Sequence, residues 1–386
     1  MKIIADVNIP FVTECFSSVG EVEAVSGREI TPALIADADI LLVRSITKVN
    51  ADLLKGSSVK FAATATIGFE HVDVDFLRRN NIGFASAPGS NANSVAEYVT
   101  AALLSVGNKY KIQLEGKSIG VIGVGNVGSR VAKKCTALGM KVFLNDPPLQ
   151  RQTGNAKYLP IEKIYDCDFV TLHTPLTFEG ADKSFHLADE TFFKLLKGGS
   201  IFINTARGGV TDTKALKNAI KSGKLKAVVL DVWENEPNID TELLRMVDVG
   251  TPHIAGYSLD GKVAGMIMIY EAACEYFGLD AKKTIEDFLP EPAVPEIKIG
   301  SNDDEQSVIH QTIQKIYAIN RDDFNTREIA MVPPKCCGKF FDDLRKNYPV
   351  RREFQNTRII ATENTEVTEN LSKKLKGLGF KIKSEK

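Results

Sequence analysis

A glycine-rich turn that follows an apolar run constrains this sequence more than any other feature. Residues 117–122 form the apolar run, and Gly123, Gly125 and Gly128 follow in the spacing Gly-x-Gly-x-x-Gly. This order predicts a strand, a sharp turn and a helix. The first glycine allows the turn, the second lets the backbone approach a ligand, and the third lets the helix pack on the strand. The helix N-terminus then faces an anion, and the diphosphate of a dinucleotide fits that position.

The sequence after the turn supports this interpretation, although glycines can fall at this spacing by chance. Asn126 and Val127 open the expected helix, and residues 141–146 form a second apolar run that ends in Asp146. An acidic residue about 20 positions past the glycines is where a dinucleotide-binding unit places its ribose ligand. A carboxylate repels a 2′-phosphate, so we expect NAD rather than NADP. The alternative is that Asp146 only begins the turn before Pro147.

Composition excludes several classes of protein. The chain has 386 residues, 44% of them hydrophobic, which predicts two to three domains with sizeable cores. We expect a soluble, cytoplasmic protein without membrane contact, because no apolar run reaches about 18 residues and no signal-peptide pattern begins the chain. The net charge of −1 gives no general attraction for nucleic acid. Six scattered cysteines lack metal-ligand spacing, so we expect reduced thiols and no metal site.

The first part of the chain alternates short apolar strands with helix-like stretches. The strands are expected at residues 2–6, 40–44 and 59–63, a rhythm that predicts a parallel sheet. Ligands gather at the carboxyl ends of such strands, which here carry Arg44, Ser45 and Thr66. These side chains could bind an anion, or they could simply cap the helices that follow.

A long helix is expected to begin within residues 91–99, where Ser94 and Glu97 fit a capping box. It would connect two domains. Beyond the glycine turn, apolar strands are expected at residues 168–173, 200–204 and 227–231, and each ends in polar residues that should converge on one site.

Taken together, these segments resemble the D-isomer-specific 2-hydroxyacid dehydrogenases. The resemblance covers about residues 1–290, and similarity to one branch of the family, strongest at 251–262 and 341–354, extends it to nearly the whole chain. The motifs that carry it are His173-Thr174-Pro175-Leu176-Thr177, Ile203-Asn204-Thr205-Ala206-Arg207-Gly208, Leu230-Asp231-Val232-Trp233-Glu234-x-Glu236-Pro237 and Thr251-Pro252-His253-Ile254-Ala255-Gly256.

The resemblance implies an α/β protein with two doubly wound, Rossmann-like parallel sheets and a small C-terminal α+β dimerisation domain. Residues 1–95 and 258–288 would form a substrate-side domain, and residues 96–257 an NAD-binding domain. Residues 289–386 would then make a homodimer, although a regulatory ligand-binding domain is an alternative. The arginines and lysine of the tail are expected to be solvated, or one arginine could reach a partner's active site; the residues are Arg345, Lys346, Arg351 and Arg352.

The resemblance also implies a catalytic set of three residues. Arg207 would grip the substrate carboxylate, His253 would take the proton of the C2 hydroxyl, and Glu236 would orient His253. Taken singly, each has an ordinary structural explanation, such as a surface ion pair or a turn. Three such residues in three separate motifs favour the catalytic role.

Further site residues are implied for the cofactor and for the phosphate of the substrate. Thr174, Ala206, Arg207, Asp231 and Gly256 would line the NAD pocket. The family pattern assigns the phosphate to Ser45, Thr66 and Tyr257, and we add Arg44 because a doubly charged phosphate needs several donors.

The expected reaction is NAD-dependent oxidation of a phosphorylated small-molecule hydroxy acid, 4-phospho-D-erythronate, in pyridoxal 5′-phosphate synthesis. Two alternatives remain open. One is a dehydrogenase of another 2-hydroxy acid, such as 3-phosphoglycerate. The other is a non-catalytic NAD-sensing protein.

Overall fold

The structure is a computed structural model, and it describes residues 1–299, 304–361 and 368–383. The chain divides into two compact units. Met1–Ala92 and Tyr257–Glu291 form the first unit, and Asn93–Gly256 and Pro292–Lys386 form the second. The C-terminal segment therefore belongs to the same unit as the glycine-rich turn.

The elements are numbered in chain order. The strands are β1 (Lys2–Asp6), β2 (Glu21–Val25), β3 (Ile40–Val43), β4 (Phe61–Thr64), β5 (Gly83–Ala85), β6 (Ser118–Ile122), β7 (Lys141–Asn145), β8 (Phe169–Leu172), β9 (Ser200–Asn204), β10 (Leu225–Leu230), β11 (Val249–Gly250), β12 (Glu296–Ile299), β13 (Arg358–Ala361) and β14 (Lys381–Lys383). The helices are α1 (Val12–Phe16), α2 (Ala51–Leu54), α3 (Val74–Arg79), α4 (Ala92–Tyr110), α5 (Asn126–Ala137), α6 (Pro147–Thr153), α7 (Glu162–Tyr165), α8 (Glu190–Leu195), α9 (Thr213–Lys221), α10 (Thr241–Met246), α11 (Leu259–Phe277), α12 (Glu305–Ile316), α13 (Ile319–Arg327), α14 (Cys337–Lys346) and α15 (Glu369–Leu378). Short 3-10 helices lie at Gly208–Val210, Ile285–Asp287, Glu328–Met331, Pro334–Cys336 and Phe354–Asn356.

The first unit is a five-stranded parallel sheet in the order β2-β1-β3-β4-β5. Successive strand residues point to opposite faces, so the buried strands are apolar on both sides. Ile3 and Leu42 pack with Met266 of α11 on one face. Ile4 and Leu41 pack with α2 and α3 on the other face. Helices on both faces make this a doubly wound sheet, as the sequence predicts.

The second unit contains a six-stranded parallel sheet in the order β11-β10-β9-β8-β6-β7. The chain leaves β6 towards β7 on one side and returns as β8 on the other. This reversal is the topological switch point at which doubly wound folds bind ligands, beyond the carboxyl ends of the strands. The glycine-rich turn follows β6, and His173 follows β8, so both lie at this point.

The C-terminal segment adds a three-stranded parallel sheet, β12-β13-β14, with helices α12 to α15. Ile329, Cys337 and Phe341 of this segment are buried in the same core cluster as Phe202 and Leu230 of the six-stranded sheet. A fully buried side chain of this size contributes about 1.5–3 kcal/mol. The segment is therefore packed into the unit that carries the glycine-rich turn.

The predicted capping box at Ser94 and Glu97 is wrong. Helix α4 already begins at Ala92, so both residues lie inside it. The Oγ atom of Ser94 donates to the carbonyl oxygen of Ala255 at 2.8 Å, and Glu97 accepts from the backbone N–H of Phe354 at 2.9 Å. The two side chains are used in tertiary contacts rather than at a helix end.

The expectation that Arg351 and Arg352 are solvated is also wrong. Both side chains are buried, and Arg351 lies 3.3 Å from the carboxylate of Glu97. A hydrogen-bond acceptor contributed from a distant part of the chain makes burial of the guanidinium tolerable. By contrast, Lys346 is exposed, as expected.

Within the described ranges, no helix combines the length and apolar character that a bilayer crossing requires. Nor do the described residues place three or more His, Cys, Asp or Glu side chains so that they could hold a metal ion.

Candidate active site

The glycine-rich turn has the geometry that its spacing predicts. Gly123 has a φ of +83°, which favours glycine, and a Cβ atom there would lie 2.7 Å from the carbonyl oxygen of His173. A Cβ atom on Gly128 would lie 1.9 Å from the carbonyl oxygen of Gly123, so only glycine lets α5 approach the turn this closely. The predicted strand, turn and helix are confirmed.

The space beside Gly125 fits the backbone approach of a diphosphate. Gly125 is the N-cap residue of α5, and nothing lies within 4 Å of the Cβ position that it lacks. Asn126 and Val127 form the first turn of α5, where backbone N–H groups have no partner within the helix. An open face at the N-terminus of a 12-residue helix is a favourable place for an anion.

Asp146 follows β7 and faces the glycine-rich turn. Its Oδ2 atom accepts from the N–H of Val124 at 2.7 Å, and its Oδ1 atom caps α6 by accepting from Leu149 at 2.9 Å. The helix-start role that was the alternative for Asp146 is therefore present. It does not exclude a ribose ligand, because an ionised carboxylate can accept about four hydrogen bonds.

His173 and Thr174 follow β8 at the switch point. The ring of His173 lies between two hydroxyl groups, with Nε2 2.9 Å from Thr171 Oγ1 and Nδ1 3.3 Å from Thr205 Oγ1. Loss of water around the ring lowers the pKa of His173 to about 3, so the ring is neutral near pH 7. The hydroxyl of Thr174 is enclosed and has no hydrogen-bond partner among the described residues. Enclosed hydroxyls are normally paired, so a bound ligand could supply the missing partner.

Asp231, at the end of β10, is buried and organises the loop that carries His253. Its Oδ1 atom accepts from Thr251 Oγ1 at 2.7 Å and from the N–H of Ile254 at 2.8 Å, and its Oδ2 atom accepts from the N–H of Ala255 at 2.9 Å. Its carbonyl oxygen accepts from the N–H of His253 at 2.7 Å. Burial raises the pKa of Asp231, although these donors and the charge of His253 oppose that shift.

Five hydrogen bonds hold His253 and its neighbours in an unusual backbone conformation. His253 has a φ of +58°, a region that non-glycine residues seldom adopt. Such a conformation persists where the surroundings fix it, and it occurs often at functional sites. Here the bonds to Asp231 fix it, and the indole N–H of Trp233 also donates to the carbonyl oxygen of Thr251 at 2.9 Å.

The imidazole of His253 is paired with Glu236. Its Nδ1 atom lies 2.6 Å from Glu236 Oε2, while Glu236 Oε1 accepts from the N–H of Trp233 at 2.7 Å. Burial alone would raise the pKa of Glu236, but the charge and hydrogen bond of His253 and the Trp233 N–H lower it below its usual value. Because the carboxylate is ionised and only accepts, Nδ1 carries the proton in the neutral form of the ring, and Nε2 then presents a lone pair. The pair can therefore act as a proton acceptor at Nε2.

Arg207 follows β9 and is fixed by a loop that packs against the Glu236 segment. A Cβ atom on Gly208 would lie 1.8 Å from the carbonyl oxygen of Trp233, so the two backbones are in direct contact. The side chain of Asn204 binds the same loop, donating to the carbonyl oxygen of Arg207 at 3.0 Å and accepting from the N–H of Ala206 at 2.9 Å. Arg207 is half-buried, and its Nη1 atom donates to the carbonyl oxygen of Ala206 at 2.9 Å.

Asn204 and Trp233 hold the site together, although their sequence surroundings predict no role for them. For Asn204, a short polar side chain at the end of a buried strand is the sequence feature that could have indicated a role. The indole of Trp233 gave no local signal, because its partner lies 18 residues away.

In the first unit, three of the residues expected to bind phosphate lie at one end of the sheet. Arg44 and Ser45 follow β3, and Thr66 follows β4, its neighbour in the sheet. Arg44 Nη1 donates to the carbonyl oxygen of Asn8 at 2.8 Å, and Ser45 is exposed. Thr66 Oγ1 donates to the carbonyl oxygen of Gly68 at 2.9 Å.

Tyr257 lies two residues before α11, and Lys262 Nζ is 4.3 Å from the centre of its ring. Gly256 precedes it, directly after the segment that Asp231 holds.

The sequence of this chain is similar to two family models and to proteins of known name. Residues 92–255 match the model of the family described as D-isomer specific 2-hydroxyacid dehydrogenase, NAD binding domain. Residues 288–379 match a domain of unknown function. The erythronate-4-phosphate dehydrogenase of Proteus mirabilis is 43% identical over 366 residues, which cover 95% of this chain and 96% of that protein. The protein of the same name from Photorhabdus laumondii is 41% identical over 381 residues, covering 98% and 99%.

Solved structures give the same picture for the fold. The NAD⁺-bound 3-phosphoglycerate dehydrogenase of Entamoeba histolytica is 25% identical, with a TM-score of 0.61 over 75% of this chain and 99% of its own. The D-lactate dehydrogenase of Aquifex aeolicus, complexed with NAD and lactic acid, is 25% identical, with a TM-score of 0.59 over 72% and 96%.

Proposed function

Because the chain belongs to the D-isomer-specific 2-hydroxyacid dehydrogenase family, we propose that it oxidises 4-phospho-D-erythronate to (R)-3-hydroxy-2-oxo-4-phosphooxybutanoate with NAD. The reaction would serve pyridoxal 5′-phosphate synthesis. The hydrogen bond between Glu236 and His253 is the observation that carries the reaction type, since it presents a proton acceptor. Similarity over nearly the whole chain to proteins named erythronate-4-phosphate dehydrogenase supports the substrate.

Three side chains of the second unit would perform the chemistry. Arg207 would bind the C1 carboxylate through paired N–H donors. Nε2 of His253 would take the proton of the C2 hydroxyl as the C2–H bond breaks, and the ionised Glu236 would stabilise the positive charge that the ring gains. NAD, when bound, supplies the acceptor for the hydride that leaves C2. One proton and one hydride therefore leave the substrate, and the C2 alcohol becomes a carbonyl.

The residues around the switch point would hold NAD. The glycine-rich turn, with Asn126 and Val127, would bind the diphosphate, and Asp146 the ribose. The carboxylate of Asp231 accepts three hydrogen bonds out of about four that it can accept, so one acceptor position would be left for the cofactor's amide. Thr174, Ala206 and Gly256 would line the rest of the pocket.

The phosphate of the substrate would be bound by residues of the first unit. Ser45, Thr66 and Tyr257 offer hydroxyl groups, and Arg44 offers a charge. A guanidinium has five N–H donors, so the bond from Arg44 to Asn8 is compatible with binding an anion.

We also propose that the chain forms a homodimer through its C-terminal segment. The three most exposed large apolar side chains among the described residues all lie there, namely Phe324, Met331 and Val350 at 68%, 84% and 73% exposure. Contiguous exposed apolar patches mark contact surfaces, and we propose that these three side chains contribute to one. Light scattering should give a dimer for the wild type and a monomer for Met331→Glu with Val350→Glu. Leu195→Glu, on the helix α8, serves as the control. A monomeric wild-type protein would contradict the proposal.

A cytoplasmic location is part of the proposal. All six cysteines are free thiols, five of them buried, which suits a reducing compartment.

The reaction is tested by NADH absorbance with purified protein and NAD. The substrates to compare are 4-phospho-D-erythronate, unphosphorylated erythronate and 3-phosphoglycerate, each with and without an added 2-oxo acid in case bound NADH needs an acceptor. We expect strong preference for the first, turnover reduced by roughly 10²–10⁴-fold but still measurable in His253→Gln, and normal turnover in the matched control His310→Gln. If only 3-phosphoglycerate is turned over, the proposed mechanism stands but the proposed substrate is wrong. NADH binding without turnover of any hydroxy acid would favour a non-catalytic sensor.

A further inference from the structure

Arg351 is a buried arginine in the segment that matches a domain of unknown function. Its side chain is 5% exposed, and its guanidinium carbon lies 4.1 Å from the centre of the Tyr317 ring. Nη1 donates to Glu97 Oε2 at 3.3 Å, and Nη2 donates to Ser94 Oγ at 2.6 Å. A charge without water needs such partners, and here α4 supplies two of them.

Glu97 completes a buried cluster of acidic and basic side chains, where burial raises its pKa to about 8 although Lys134 and Arg351 oppose that shift. Its Oε1 atom accepts from the N–H of Phe354 at 2.9 Å and lies 4.0 Å from Lys134 Nζ. Glu353 contributes a second buried carboxylate, which accepts from Asn93 Nδ2 at 2.6 Å. Two acids and two bases thus fix the segment around Arg351 to the beginning of α4.

The cluster contacts the loop that carries His253 at the carbonyl group of Ala255. The carbonyl oxygen of Ala255 accepts from Ser94 Oγ at 2.8 Å and lies 3.5 Å from Arg351 Nη2. The N–H of Ala255 donates to Asp231 at 2.9 Å. Residue 255 is therefore held on one side by Asp231 and on the other side by Ser94 and Arg351. It lies two residues from His253, whose backbone conformation depends on its surroundings.

We propose that Arg351 is a positioning residue for His253, through which the C-terminal segment holds the catalytic loop of its own chain by way of Ser94 and Ala255. The inference rests on the proposed function only in the role of His253 as the base. A misplacement of the base by about 1 Å is enough to slow turnover roughly 100-fold. The segment would thus contribute to catalysis as well as to assembly.

The test is Arg351→Met, which keeps the length of the side chain and removes its charge. We expect kcat to fall roughly 10- to 100-fold with the KM for NAD changed less than about twofold, and a larger isotope effect with substrate deuterated at C2. Arg351→Lys should recover part of the rate. Arg358→Met is the matched control, because Arg358 lies in the same segment but forms an exposed ion pair with Glu296.

Hydrogen exchange gives a second readout that does not need turnover. The amides of Ile254 and Ala255 donate hydrogen bonds to Asp231. Their exchange rates should rise in Arg351→Met and stay at the wild-type values in Arg358→Met. If Arg351→Met does not fold, Ser94→Ala removes the same link with a smaller change. A folded Arg351→Met protein with kcat within about twofold of wild type overturns the proposal. If the wild-type protein turns over no hydroxy acid, the exchange rates of these two amides decide instead. Unchanged rates in Arg351→Met overturn the proposal, and faster rates support it.

A double variant separates positioning from general stability. If Arg351 acts through His253, adding Arg351→Met to His253→Gln should cost no further activity. If the double variant instead loses activity by the product of the two single-variant factors, Arg351 does not act through His253 and the assignment is overturned.

Discussion

Nδ1 of His253 donates a hydrogen bond of 2.6 Å to Oε2 of Glu236, whose second oxygen is held by the backbone of Trp233. This relationship fixes the tautomer of the histidine as well as its orientation. Because both oxygens of Glu236 accept hydrogen bonds, the carboxylate cannot turn away without losing a partner. The buried acid thus keeps Nε2 of His253 as the acceptor of a proton.

The first prediction concerns Glu236→Gln. The amide keeps the shape of the side chain, but its N–H can donate a hydrogen bond to Nδ1 and so favour the wrong tautomer of His253. We expect kcat to fall by roughly 10²–10⁴ with little change in the KM for NAD. Steady-state NADH formation measures both constants, and Glu242→Gln, an exposed residue paired with Lys221, is the control. A variant with more than about a tenth of the wild-type rate would contradict the role of Glu236.

The second prediction concerns Gly208→Ala. The added Cβ atom would lie 1.8 Å from the carbonyl oxygen of Trp233, so the backbone of one loop must move. We expect a loss of about 1–3 kcal/mol in the free energy of unfolding, as overpacking usually gives, together with a loss of activity because Arg207 and Glu236 flank the contact. Urea unfolding measures the first effect. Gly198→Ala, which meets nothing within 4 Å, should change neither property.

The glycine-rich turn shows what the sequence can predict. Each of its requirements is local: a positive φ at Gly123, room at Gly125, and contact at Gly128. Short-range geometry of this kind depends on residue type and spacing, so the pattern alone is sufficient. The doubly wound sheets are predictable for a similar reason, since strands buried on both faces are apolar throughout.

The tertiary use of polar residues could not be predicted in this way. Ser94 and Glu97 have the spacing of a capping box, yet they serve Ala255, Arg351 and Phe354, which lie far along the chain. Likewise, Arg351 has the local surroundings of a solvated residue. Nothing near it in the sequence indicates that α4 supplies its hydrogen-bond partners.

The third prediction is a pH dependence of stability that arises from His173. Its pKa is lowered from 6.5 to about 3, so the native state binds fewer protons than the unfolded chain in this interval. The contribution to stability is present above about pH 6.5 and is lost as pH falls towards about 3, with a slope of up to about 1.4 kcal/mol per pH unit. Urea unfolding from about pH 7 to about pH 5 should show a shallower slope for His173→Asn than for wild type. Equal slopes would contradict a neutral His173.

The last prediction separates recognition of phosphate from catalysis. Arg44 lies at the carboxyl end of β3, beside the end of β4 that leads to Thr66. If its guanidinium binds the phosphate, Arg44→Ala should raise the KM for 4-phospho-D-erythronate at least about tenfold and leave the KM for unphosphorylated erythronate nearly unchanged. Arg78→Ala, which breaks an exposed ion pair with Asp75 in the same unit, is the matched control. Equal effects on both substrates would show that Arg44 supports the loop rather than the phosphate, and the dianion would then depend on the hydroxyl groups of Ser45, Thr66 and Tyr257.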